Sequence, residues 1–119
     1  MTYLVKKGNK YGAHSTEYGG VIYHSKKEAG YAQTLDTLKK ATYPSERVVS
    51  WERQVKIALD VNGEHICNYY IDFVAQMADG STQYIEVKGF ETEVWRLKWK
   101  LFEAIYKKEH PELDLIIIK

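Results

Sequence analysis

The chain has 119 residues, 45% hydrophobic and 13% aromatic, and its 17 Lys and Arg nearly balance its 16 Asp and Glu to leave a net charge of +1. That length and composition fit one folded domain with a real core and exclude a disordered tract, while so small a charge leaves nucleic-acid binding to be judged from where the basic residues fall. A single cysteine, Cys67, excludes an internal disulfide and a cysteine zinc site and points to a cytoplasmic protein, and no apolar run reaches the length of a membrane span.

The opening Met1-Thr2-Tyr3-Leu4-Val5 has too short an apolar run for a signal peptide. Residues 1–20 read as a tyrosine-rich basic arm, with Lys6, Lys7 and Lys10, suited to lying over DNA or swapping to a second subunit. A first helix is predicted over 26–41, with Ser25 as N-cap, Pro44 beyond its end, and Ala29, Ala32, Leu35 and Leu38 as its buried stripe. Glu28 has two readings of equal weight. It completes a capping box with Ser25, or it supplies a carboxylate to a site nearby.

Strands follow at 54–60, 66–77 and 82–88, the first two joined by the hairpin pair Asn62-Gly63. A second helix, capped by Glu91 or Thr92, runs to about 108 and is stopped by His110-Pro111. Val94, Leu97, Leu101 and Ile105 are its expected apolar stripe, with Trp95, Trp99 and Phe102 beside it as core aromatics. The β-branched run at 113–118 is expected to be a buried strand, parallel to its neighbour after the helical crossover. The order is therefore helix, three strands, helix, strand.

The residues that carry chemistry lie on the long second strand and the one after it. Asp72 interrupts the apolar Tyr69-Tyr70-Ile71-Asp72-Phe73-Val74, where an uncompensated charge is expensive and calls for a partner or a metal. The next strand ends in Glu86-Val87-Lys88. Alternation puts Glu86 and Lys88 on one side and leaves the Val87 carbonyl available as a further ligand. Carboxylate and carbonyl oxygens suit a hard ion such as Mg2+, and a lysine beside them can orient or deprotonate an attacking water. The scattered histidines, His14, His24, His65 and His110, lack zinc spacing.

This site makes a geometric demand. A tight two-residue turn at Asp79-Gly80 would set Asp72 opposite position 87 and turn it away from Glu86 and Lys88. An odd loop is required, most simply Asp79-Gly80-Ser81 with Gly80 at positive φ, or a bulge that restores the parity. Basic residues that could neutralise phosphates around the pocket are Lys26 and Lys27, then Arg96, Lys98 and Lys100.

The helix-strand order, Asp72, the Glu86-Val87-Lys88 triplet and Glu28 together resemble the core of the PD-(D/E)XK nuclease superfamily, which includes restriction endonucleases and Holliday-junction resolvases. More closely, Tyr18-Gly19-Gly20-Val21-Ile22-Tyr23-His24-Ser25-Lys26-Lys27-Glu28-Ala29, Tyr70-Ile71-Asp72-Phe73, Glu86-Val87-Lys88-Gly89-Phe90 and Lys98-Trp99-Lys100-Leu101-Phe102 resemble a family of small phage proteins long labelled a domain of unknown function. The likeness covers nearly the whole chain. It implies an α/β, restriction-endonuclease-like αβββαβ core in which a central mixed four-stranded sheet is flanked by helices. It implies Asp72, Glu86, Glu28 and the Val87 carbonyl as ligands of Mg2+, with Mn2+ as the alternative. Lys88 would be the catalytic lysine, and Gln54 would contact the scissile phosphate or the water. Ile71 stands where the superfamily's eponymous proline would be.

The expected function is a metal-dependent DNA endonuclease, phage-encoded and acting on branched recombination or replication intermediates, with a homodimer needed to nick two strands. The alternatives are a non-cleaving DNA-binding or accessory protein, and a restriction nuclease whose specificity comes from DNA shape.

Overall fold

The structure, a computed structural model, describes residues 15–119, so most of the predicted basic arm, with Lys6, Lys7, Lys10 and His14, lies outside the described residues. The elements in chain order are β1 (Thr16–Tyr18), β2 (Val21–Tyr23), α1 (Lys26–Thr37), β3 (Val48–Val61), β4 (Glu64–Met77), β5 (Thr82–Val87), α2 (Glu93–Phe102) and β6 (Asp114–Ile118). A 3-10 turn at Leu38–Lys40 extends α1, and a π turn at Glu103–Lys107 extends α2. The predicted arm is corrected at its end, because β1 and β2 form a hairpin around Gly19 (φ +60) and Gly20 (φ +82). Positive φ at both central residues is what a two-residue turn of matching twist needs.

The central sheet has the order β3-β4-β5-β6. The first three strands are antiparallel neighbours, and β6 lies parallel to β5 with Gln83↔Asp114 through Val87↔Ile118 in register. This is the expected mixed four-stranded sheet. Helix α1 covers one face, packing Ala29, Ala32 and Leu35 on Phe73, Ala75, Met77, Ile85 and Val87. Helix α2 covers the other through Trp95, Trp99 and Phe102, against Tyr69, Val74, Tyr84 and Leu115.

The stripe expected on α2 is corrected. Trp95, Trp99 and Phe102 point inward, at intervals of four and three, and the stripe one residue away leaves Val94 (65%) and Leu97 (70%) exposed. Large aromatics bury more area per residue and win the inner face. Leu113 is buried, but the strand that follows it, β6, is half-buried rather than buried, with Asp114 and Ile117 exposed, because β6 is an edge strand. Cys67 is likewise half-buried.

Strand β3 starts six residues before its predicted position, at Val48 rather than residue 54. The reason is a break in its alternation. Trp51 packs in the α1 layer, whereas Val55, Ile57 and Leu59, also odd-numbered, pack in the α2 layer. The partner strand changes likewise, from Phe73 to Ile71 and Tyr69. Register is unchanged across the break, Arg53↔Phe73 and Val55↔Ile71. Between them stands Gln54, a non-glycine residue at φ +52.

The β4–β5 turn has the odd parity the site demands, but it closes one residue earlier than predicted. Met77 N–H bonds to Ser81 O at 2.9 Å and Gly80 N–H to Met77 O at 3.0 Å, so the loop is Ala78-Asp79-Gly80. Gly80 has φ +92, with open space where a Cβ would stand. Gly80→Ala is therefore expected to cost roughly 1–2 kcal/mol through backbone strain alone. A urea midpoint that falls with an unchanged slope is the expected measurement.

Candidate active site

The last β4–β5 pair is Phe73↔Ile85, and one further step sets Asp72 opposite Glu86. The strands part there. Asp72 Oδ2 accepts the Val87 backbone N–H at 2.9 Å, taking the place a β4 carbonyl would have in a continuing ladder. Its Oδ1 accepts from Gln54 Nε2 at 3.1 Å. Gln54 is thus placed by its left-handed backbone, a conformation that costs a non-glycine residue about 1–2 kcal/mol. Strain of that kind is retained where the side chain has a job.

Glu28 arrives from the first turn of α1. Ser25 Oγ accepts the Glu28 backbone N–H at 3.1 Å, so the helix cap uses the backbone of the glutamate, while its carboxyl is buried beside Asp72, whose charge raises it. The two readings of Glu28 are in this way separated. Its carboxyl belongs to the acidic cluster.

Glu28 (7% exposed), Asp72 (9%) and Glu86 (1%) are the buried charged residues of the described chain. Burial, then the charge of Asp72, pushes the Glu28 carboxyl up to about 8. Arg53 opposes the rise by its positive charge. Glu86 rises to about 7 for the same two reasons, opposed by the Tyr69 hydroxyl and the Lys88 ammonium. Lys88 Nζ lies 3.8 Å from Glu86 Oε2 and 5.0 Å from the centroid of the Trp95 ring. Glu86 Oε1 is buried with no hydrogen-bond partner among the described residues.

The expected site residues are thus brought together: Gln54 and Glu28 on Asp72, and Glu86 with Lys88 beside it. Val87 turns its side chain into the α1 layer, as alternation requires. Among the described residues no three His, Cys, Asp or Glu side chains are already gathered as a ligand shell, and both Asp72 oxygens are engaged, by Gln54 and by Val87. Of the basic residues, Lys27 reaches the site and donates to Lys88 O at 3.4 Å. Arg96 is drawn to Glu91 and Lys98 to the Asn68 carbonyl, so these two are not free phosphate ligands.

A family model described as "Protein of unknown function (DUF1064)" matches residues 8–117. The chain belongs to this family. The match spans every residue of the acidic cluster as well as both helices. No curated protein and no solved structure matches the chain.

Three residues of the site were not foreseen. Arg53 lies 4.7 Å from the Tyr23 ring and within electrostatic reach of Glu28, and nothing in its surroundings along the chain marks it. Tyr69 reaches Glu86 from three positions before Asp72, an odd offset that regular alternation would send to the opposite face. Trp95 is a core residue as expected, but its indole N–H also donates to Tyr69 Oη at 3.1 Å.

Proposed function

We propose that the protein is a divalent-metal-dependent DNA endonuclease with a restriction-endonuclease-like core of the PD-(D/E)XK type. The observation that carries this reading is the meeting of three buried carboxylates with Lys88 where β4 and β5 part, one carboxylate oxygen being left without a partner. Buried charges of one sign are costly, and a cation is the partner that such a set calls for.

The donor set fits a hard ion. Asp72 and Glu86, with Glu28 and the Val87 carbonyl, would hold Mg2+ or Mn2+, whose contribution is Lewis acidity toward a phosphodiester. The chain's own residues do the rest. Gln54 and the Val87 N–H fix the Asp72 carboxyl from two directions. Lys88, held by Glu86 and the Trp95 face, orients the attacking water and accepts or returns its proton. Lys27, at the rim, offers a positive charge to a substrate phosphate. A single site cuts one strand, so a homodimer acting on branched DNA intermediates in the cytoplasm of a host cell is part of the proposal.

The test is cleavage of end-labelled four-way junction, flap, single-stranded and duplex DNA with Mg2+, Mn2+ or EDTA. Wild type is expected to cut only with metal. Lys88→Ala is expected to be slower by about 10²–10⁴, the usual contribution of a positioned acid or base. Wild-type protein that cuts none of these with either ion would overturn the reading, and equal DNA binding by both proteins would favour a non-cleaving accessory role.

A further inference from the structure

Helix α2 presents one residue to both halves of the site. The Trp95 indole N–H donates to Tyr69 Oη at 3.1 Å, the Tyr69 hydroxyl lies on the side of the Glu86 carboxyl and favours its charged form, and the face of the same indole lies 5.0 Å from Lys88 Nζ, itself 3.8 Å from Glu86 Oε2. We propose that Trp95 and Tyr69 are positioning residues, which set the Glu86 carboxylate for a divalent cation and hold the Lys88 ammonium beside it. This rests on the metal-site reading above and extends it to residues that touch neither metal nor substrate.

The packing supports a role beyond filling space. Tyr69 (3% exposed) and Trp95 (8%) are buried, and each could have been a phenylalanine if burial were all that mattered. Buried hydroxyl and indole groups need partners, and the indole N–H is satisfied by the Tyr69 oxygen, which leaves the Tyr69 O–H as a donor on the side of Glu86. A hydroxyl on the protein side that favours the ionised carboxylate leaves Oε1, the oxygen without a partner among the described residues, for an incoming ion. Trp95 is anchored in its turn. It follows the Thr92 cap, its backbone N–H bonding to Thr92 Oγ1 at 3.0 Å, and its ring stacks on Trp99 with centroids 6.0 Å apart. The N-terminus of α2 therefore sets the angle at which Glu86 and Lys88 are presented.

The experiment is a Mn2+ titration of the intact protein by calorimetry, beside the cleavage assay, for wild type, Tyr69→Phe, Trp95→Phe and Trp95→Leu. Circular dichroism and thermal melting of the metal-free proteins show that each variant is folded. Tyr69→Phe and Trp95→Phe are expected to weaken Mn2+ binding by about 10–100-fold, the usual effect of losing a group that orients a metal ligand. Trp95→Phe keeps an aromatic face for Lys88 and Trp95→Leu does not, so the Leu variant is expected to cleave more slowly than the Phe variant at saturating Mn2+.

Folded Tyr69→Phe and Trp95→Phe proteins that bind Mn2+ as wild type does would overturn the proposal, whatever their cleavage rates. Wild type that binds no Mn2+ would overturn it too. Wild type that binds Mn2+ and cuts no DNA would overturn the nuclease reading alone and leave the positioning roles standing.

Discussion

Asp72→Asn is expected to abolish metal-dependent cleavage while making the metal-free protein more stable. The two effects have one cause. Asp72 lies opposite Glu86 and within electrostatic reach of Glu28, and raises both of their pKa values by its charge. Asparagine retains an oxygen for the Val87 N–H, and rotation of the Gln54 amide lets Gln54 accept from the new side-chain amide, so the packing is preserved. What is lost is a negative charge. Cleavage should fall by at least about 10³, in the range seen when a charge-stabilising group is removed from an active site. Relief of repulsion in a buried site should raise Tm by several degrees at pH 8, since about 1 kcal/mol corresponds to roughly 4–8 °C for a domain near this size. Calorimetric melting and a cleavage assay on the same preparation read both signs. Parallel loss of stability and activity would mean that Asp72 serves the fold rather than the site.

Without divalent ions, the protein is expected to lose stability as pH rises from 5 to 8. The Glu28 and Glu86 carboxyls are pushed up to about 8 and about 7 in the folded chain, against ordinary values near 4.5. The folded state therefore binds more protons than the unfolded state throughout that window, and linkage makes stability fall with each unit of pH until both groups are ionised. The contribution is fully present below about pH 4.5 and gone above about pH 8. Because the two carboxyls respond to the same Asp72 charge, they titrate as a coupled set, and the drop in Tm should be on the order of 10 °C. Saturating Mn2+ at pH 8 should reverse it, with about 2.7 kcal/mol gained at an ion concentration 100 times the Kd. A melting curve that is flat with pH would show that the three carboxylates do not share one buried environment.

The elements that were legible in the chain were those with an uninterrupted period. The β4 strand, the Asn62-Gly63 turn and the parallel β6 all announced themselves by local pattern, and the Asp72, Glu86 and Lys88 cluster followed from alternation together with loop parity. The start of β3 was hidden because one residue, Gln54, reverses the face that the strand buries, so its two halves have opposite patterns. The α2 stripe was misassigned because two apolar stripes lie side by side on that helix, and only the partner surface decides between them. Arg53, Tyr69 and Trp95 were out of reach for a related reason. Their roles depend on where the reversal at Gln54 carries the strands, which no spacing rule records.

That reversal also determines what the site measures. The buried residues under α1 and those under α2 form two separate clusters, and both strands cross from one to the other at Gln54 and Asp72. Glu28 is mounted on the first layer, whereas Glu86 is braced from the second through Tyr69. The acidic cluster is therefore a joint between the two packed layers of one sheet, and its geometry is a gauge of their alignment. A substitution deep in either layer, far from any carboxylate, can detune the centre by shifting its helix against the shared sheet without unfolding the chain.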